Sequence, residues 1–152
     1  MSVPDDSLQL ARACAEKMYA DDRASQHLGM EVEIPAPGCA EARMTVLPTM
    51  VNGHDICHGG YIFTLADSAF AFACNTYNEV TVAASATIEF LAPGRLGDIL
   101  TASARESHRG RRSGLYDIRV SNQDEKLIAL FRGRSATLKD SILTGADTQA
   151  IQ

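Results

Sequence analysis

With 152 residues, 45% of them hydrophobic, and a formal net charge of −5, the chain has the composition of an ordinary globular protein of one domain, or of one domain with a helical extension. No apolar stretch reaches the roughly 18 to 20 residues that span a membrane, and the acidic start MSVPDDSLQL lacks the basic and apolar regions of a signal peptide, so a cytoplasmic location is expected and a membrane partner is not. The four cysteines, Cys14, Cys39, Cys57 and Cys74, lack CxxC spacing and read as reduced thiols rather than a disulfide framework.

Residues 5–20 predict a helix. Asp5, Asp6 or Ser7 caps it, and Leu8, Ala11, Cys14, Ala15, Met18 and Tyr19 form an apolar stripe at helical spacing. Residues 22–28 add a short turn that Gly29 stops, which makes 1–28 an N-terminal helical extension suited to covering a sheet edge or joining subunits. From Gly29 the period changes to two. Met30, Val32 and Ile34 alternate with Glu31 and Glu33, residues 35–38 turn, and Ala40, Ala42, Met44 and Val46 return as the second arm of a hairpin.

A loop over 48–57 leads into a helix of about 60–77 that is apolar nearly all round and should be enclosed. Four strands follow, over 80–91, 98–108, 113–121 and 126–138, with short polar or Pro/Gly separators that imply antiparallel neighbours for the last three. Residues 139–152 are small and polar and read as a flexible tail. An antiparallel sheet with one apolar helix buries that helix by curling around it. The predicted fold class is therefore α+β, a hotdog domain over 29–138 with the sheet wrapped around a single long helix.

The enclosed helix contains an anomaly. Residues 60–75, GYIFTLADSAFAFACN, hold one charged side chain, Asp67, and no other acid lies between Asp55 and Glu79. A carboxylate in apolar surroundings costs several kcal/mol to keep ionised unless something solvates it. It marks either a catalytic group or a structural acid satisfied by neighbouring hydroxyls and amides. The same helix opens on His58-Gly59-Gly60, where bare backbone N–H groups meet the positive end of the helix dipole and glycine admits a close approach.

These residues carry a family resemblance. Asn52, five residues, His58-Gly59-Gly60, six residues and Asp67 resemble the motif of the hotdog-fold acyl-CoA thioesterases of the phenylacetate-degradation (PaaI) group. The likeness continues through Ala66 to Phe70, Ser85, Ile88 to Gly94, Gly97-Asp98 and Ser113 to Asp117, covering about residues 28–138. It implies hydrolysis of aryl-CoA thioesters such as phenylacetyl-CoA or its ring-hydroxylated relatives. Asp67 would attack the thioester or activate a water, and the Gly59 N–H would polarise the carbonyl. Asn52 would orient the oxygen or the water, Ser85 would help place the water, and His58 would either donate to the carbonyl or hold the loop. Coenzyme A enters as part of the substrate, with no separate cofactor. An apolar acyl pocket could draw on Tyr61, Phe63, Phe70 and Phe72, which serve equally as plain core.

Geometry adds a constraint. Eight residues separate Gly59 from Asp67, about 12 Å of helical rise, whereas a reacting carbonyl lies about 3 Å from both nucleophile and oxyanion donor. The expected unit is a homodimer with composite sites, each pairing Asp67 of one subunit with Asn52 and Gly59 of the other. The resemblance implies that such dimers stack into a homotetramer.

Charge is uneven along the chain: residues 1–94 carry twelve acids and four Lys/Arg, residues 95–152 seven acids and ten Lys/Arg. A basic surface on an acidic protein fits a small polyanion better than nucleic acid, although it is also what ordinary charge variation produces. The segment Arg109-Gly110-Arg111-Arg112-Ser113-Gly114, together with Arg95, Arg132 and Arg134, offers contacts to the phosphates of coenzyme A. A solvated hairpin tip is the plainer account. His54, Asp55, Cys57 and His58 crowd one loop, but no second pair at metal spacing exists, and no metal is expected. The alternatives are a hotdog-fold enoyl-CoA hydratase or dehydratase, which would use a His with an acid, and a non-catalytic acyl-CoA-binding protein, which would not need Asp67.

Overall fold

The computed structural model describes residues 5–149 and 151. Two helices, α1 (Asp5–Asp21) and α2 (Arg23–His27), precede the strands β1 (Glu31–Glu33) and β2 (Cys39–Thr45). A single 3-10 turn (Pro48–Met50) and a loop lead to the long helix α3 (Gly59–Cys74). Strands β3 (Thr81–Phe90), β4 (Ile99–Arg109), β5 (Ser113–Ser121) and β6 (Leu127–Thr137) follow, then a short helix α4 (Gly145–Gln149). The six strands form one antiparallel sheet in the order β1-β2-β4-β5-β6-β3, so β1 and β3 are its two edges. The sheet curls around α3, as the hotdog expectation requires.

Small residues let helix and sheet come this close. Ala40, Ala42, Ala102 and Ala104 are all buried, and the register sets Ala40 beside Ala104 and Ala42 beside Ala102. Gly133 on β6 leaves room for a ring: a Cβ there would lie 2.7 Å from Cε1 of Phe70. Phe70 in turn packs against Tyr116 and Phe131, at centroid distances of 5.5 and 6.0 Å. From α3, Ile62, Leu65, Ala66, Ala69, Phe70, Phe72, Ala73 and Cys74 are buried. Among the remaining positions, Gly60, Phe63, Thr64, Asp67 and Ala71 form a stripe that is partly open.

Two features depart from the sequence expectation. The helix begins at Gly59 and ends at Cys74, three residues short of 77, because polar side chains turn the chain away. Asn75 donates from Nδ2 to the carbonyls of Ala71 and Thr81, at 2.8 and 2.9 Å, and accepts the Thr81 N–H at 2.8 Å. The segment expected as a flexible tail is laced to the body over part of its length. The Val80 N–H donates to the Asp140 carbonyl, the Leu143 N–H donates to Oδ1 of Asn78, Leu143 is buried, and Lys17 approaches Asp147 at 3.4 Å. The N-terminal extension also contributes to the core. Ala11 and Ala15 belong to the buried cluster, and the Tyr19 hydroxyl donates to the Met30 carbonyl at 2.8 Å.

Candidate active site

The loop before α3 is a small closed structure. The Asn52 N–H donates to the Ile56 carbonyl, the Asp55 N–H donates to the Asn52 carbonyl, and Asp55 adopts φ 59° to complete the turn. Oδ1 of Asn52 accepts the His54 N–H at 2.9 Å and the Ile56 N–H at 3.4 Å. The carbonyl half of the Asn52 side chain therefore shapes the turn, and its NH₂ makes no hydrogen bond among the described residues. Two further bonds fix the loop's end: Cys57 N–H to the Gly94 carbonyl and His58 N–H to the Met50 carbonyl, both 2.8 Å.

His58 is the N-cap of α3. Its Nδ1 accepts the Gly60 N–H at 2.9 Å, which assigns the ring proton to Nε2. The ring stands edge-on to Tyr61, with centroids 6.3 Å apart. Of the two glycine N–H groups at the helix start, that of Gly60 is thus spent. The Gly59 N–H makes no hydrogen bond among the described residues, and it lies at the positive end of a sixteen-residue helix.

Asp67 is half-buried and, among the described residues, makes no hydrogen bond or ion pair. Its neighbouring hydroxyls are committed elsewhere. Oγ1 of Thr64 donates to the Gly60 carbonyl at 2.8 Å, and Oγ of Ser68 meets Oγ of Ser25 at 3.1 Å, beside the cap of α2. Burial alone pushes the Asp67 carboxyl above its ordinary range. A carboxylate left unsatisfied within its own chain is more basic than usual and is available to an incoming group.

The other expected residues divide by position. Ser85 lies just past a bulge on the free edge strand β3 and pairs with Arg134, sharing the outer face of the sheet with Thr87, while Ala86 and Ile88 turn inward. Within one chain, then, Ser85 and Asp67 occupy different faces. Arg95 pairs with Ile56 beside the N-terminus of α3. Arg109, Arg111 and Arg112 belong to the hairpin tip between β4 and β5, past the C-terminus of α3. The two basic groups thus lie at opposite ends of a helix about 24 Å long.

Arg109 already has partners. Its guanidinium sits 3.7 Å from the Tyr77 ring centroid and 3.8 Å from Glu79. Arg132 is held by Asp117 through Nε and Nη2, at 2.8 and 3.0 Å. The Ser113 carbonyl closes the turn by accepting the Gly110 N–H, and a Cβ on Gly114 would lie 2.9 Å from the Tyr116 ring, so both residues have a structural account as parts of the hairpin. Arg95, Arg111 and Arg112 are exposed.

Cys57 is buried, and its thiol is pushed up to about 11, first by burial and then by the charge of Asp98. It is neutral at pH 7 and is no thiolate nucleophile. Among the described residues no group of three or more His, Cys, Asp or Glu side chains is placed to hold a metal ion. Of the aromatics considered for an acyl pocket, Phe70 and Phe72 are buried in the core, while Tyr61 and Phe63 are partly buried against it, Phe63 edge-on to Phe131 at 5.2 Å. An aromatic to which the sequence assigned no role lies closer to the helix start. The tip of the Phe90 ring is 3.0 Å from where a Cβ on Gly59 would be.

The chain is similar to known proteins. The model of the thioesterase superfamily matches residues 54–129. Over 128 residues the chain is 46% identical to the acyl-coenzyme A thioesterase PaaI of Escherichia coli, covering 84% of this chain and 91% of that one. The solved structure of the E. coli PaaI protein from the phenylacetic acid degradation operon superposes with a TM-score of 0.87 at 44% identity, over 88% of this chain and 97% of that one. A Streptococcus mutans protein solved bound to acetyl CoA superposes with a TM-score of 0.70 at 26% identity, over 74% of this chain and 90% of that one.

Proposed function

Because the chain belongs to the thioesterase superfamily, we propose that it hydrolyses aryl-CoA thioesters, phenylacetyl-CoA and its ring-hydroxylated relatives, to the free acid and CoA. The observation that carries this reading is the pairing on α3 of one unpartnered, half-buried carboxylate with one unpaired N-terminal N–H. The Gly59 N–H donates to the carbonyl oxygen and stabilises the negative charge that develops there. Asp67 either takes a proton from a water as its hydroxyl adds to the carbonyl carbon, or attacks the carbon itself to form an anhydride that a water then hydrolyses to the free acid and the restored carboxylate. In both routes the C–S bond breaks, CoA leaves as the thiolate, and the thiolate collects the proton that the water gives up. The free NH₂ of Asn52 orients the water or the carbonyl. Nε2–H of His58 points outward from a ring whose other nitrogen is occupied by capping, which favours a positioning role over a proton-abstracting one and weakens the hydratase reading.

The minimal active unit in this account is a homodimer. Gly59 and Asp67 share an unbroken helix, with about 12 Å of rise between them, and cannot serve one substrate from one chain. Support comes from β3, a ten-residue edge strand whose residues 82–85 and 87 are exposed; long bare edges of this kind are usually paired or covered. We place Ser85 at that seam, contributing its hydroxyl to the water. Arg95, Arg111 and Arg112 are the proposed contacts to the CoA phosphates, with Arg109, Ser113 and Gly114 holding the hairpin that presents them. Two basic groups at opposite ends of α3 also suit a ligand bound across two copies. Stacking of dimers into a homotetramer rests on the family resemblance alone. No helix among the described residues is long and apolar enough to cross a membrane. The four cysteines are free thiols, which suits the cytoplasmic location proposed here.

Free-thiol release from a panel of CoA thioesters tests the proposal. Phenylacetyl-CoA and hydroxyphenylacetyl-CoA are expected to be cleaved faster than acetyl-CoA, with crotonyl-CoA neither hydrated nor preferred. Hydration of crotonyl-CoA without thiol release would contradict the proposal.

A further inference from the structure

Phe90 ends the edge strand β3 opposite Ala129 and is 53% exposed. Its position is fixed by the segment that follows it. The N–H groups of Leu91 and Ala92 both donate to the Ile128 carbonyl, ending the strand. The chain then returns to the loop that caps α3, where the Gly94 carbonyl accepts the Cys57 N–H. The result is a ring aimed at Gly59. Its Cζ, Cε1 and Cε2 lie 3.0, 3.3 and 3.6 Å from the place a Cβ on Gly59 would occupy.

A carbonyl oxygen held by the Gly59 N–H lies about 2.9 Å from that nitrogen. The carbonyl carbon and the acyl α-carbon follow at bonded distances, so the α-carbon falls within roughly 5 Å of the same nitrogen. The Phe90 ring, in contact with the Cβ position of the same residue, borders this neighbourhood. We propose that Phe90 is the specificity-determining wall of the acyl site, limiting substitution at the carbon next to the thioester carbonyl. An unbranched arylacetyl group passes beside the ring, whereas an α-methyl group meets it. The inference rests on the functional reading above and deepens it, since it concerns which acyl groups the Gly59 site admits.

The test compares kcat/KM for phenylacetyl-CoA with that for its α-methyl homologue, 2-phenylpropionyl-CoA, in wild type, Phe90→Leu and Phe90→Ala. Because the readout is a ratio between two substrates of one enzyme, any general loss of folding or activity cancels. Wild type is expected to favour the unbranched thioester. Phe90→Ala is expected to shift the ratio toward the branched one by about tenfold, the size of effect that one methyl group commands in a fitted pocket. Phe90→Leu should fall between. Ratios that stay within twofold across the three proteins, with wild type hydrolysing phenylacetyl-CoA, would overturn the inference and leave the functional reading standing. A wild type that cleaves neither thioester would overturn the functional reading itself, and this inference with it.

Discussion

Asp67→Asn is expected to lower kcat for phenylacetyl-CoA by about 10³-fold at neutral pH, with KM little changed, as measured by steady-state thiol release. The substitution keeps the size and shape of the side chain and removes only its capacity to attack or to take a proton. The neighbouring hydroxyls of Thr64 and Ser68 are bonded elsewhere and are not placed to stand in. In wild type, kcat/KM should fall on the acid side with an apparent pKa above the ordinary aspartate value, because burial raises the carboxyl and only the ionised form is productive. The limb should be missing from Asp67→Asn.

The same burial gives a control for folding. A native-state pKa above the unfolded one means that the native protein holds its proton more tightly, so stability is lost as pH rises through the raised value. Asp67→Asn escapes that loss. It is expected to melt no lower than wild type at pH 7, with any gain disappearing below the ordinary aspartate range. A large fall in kcat without a fall in Tm separates chemistry from packing.

Gly59→Pro is expected to lower kcat by a factor of about 10² to 10³ while α3 stays intact. Proline is unusually well suited here, because Gly59 is the first residue of the helix, where a missing N–H breaks no helical bond and the fixed φ is already helical. His58 before it, at φ −59° and ψ 133°, has the extended backbone that a following proline demands. Gly59→Ala is the matched control. It brings a similar encounter with the Phe90 ring but retains the N–H. The excess loss in the proline variant over the alanine variant measures the N–H itself. Equal losses would assign the effect to crowding and remove Gly59 from the chemistry.

Much of this was legible in the residues. The change from helical to alternating period at Gly29 and the all-round apolar run after Gly59 placed every element of the domain to within a few residues, because burial writes the period of each element into its sequence. The lone acid stood out for the same reason. The end of α3 was misplaced because apolar patterning cannot show that Asn75 leaves the helix to clamp Thr81. The bulge that sets the facing of Ser85 left no mark, since Ala83, Ala84 and Ser85 are all small. The tail looked unstructured from its composition, and its anchors are single residues, Asn78, Leu143 and Asp147, scattered in sequence. Phe90 left a faint signal, an aromatic at the end of a strand just before Ala92-Pro93-Gly94, but its approach to Gly59 depends on long-range bonds that only the fold supplies.

The central claim is that one helix serves two active sites, its N-terminus in one and its carboxylate in the other. Subunit mixing tests it most directly. Asp67→Asn and Gly59→Pro chains, each nearly inactive alone, are co-expressed with different tags at equal levels and the mixed dimers are assayed. Random pairing makes about half the dimers mixed, each holding one intact and one doubly damaged site, so the mixture should recover about a quarter of wild-type activity. If Asp67 and Gly59 act within a single chain, no intact site can form, and mixed dimers no more active than either parent would contradict the account.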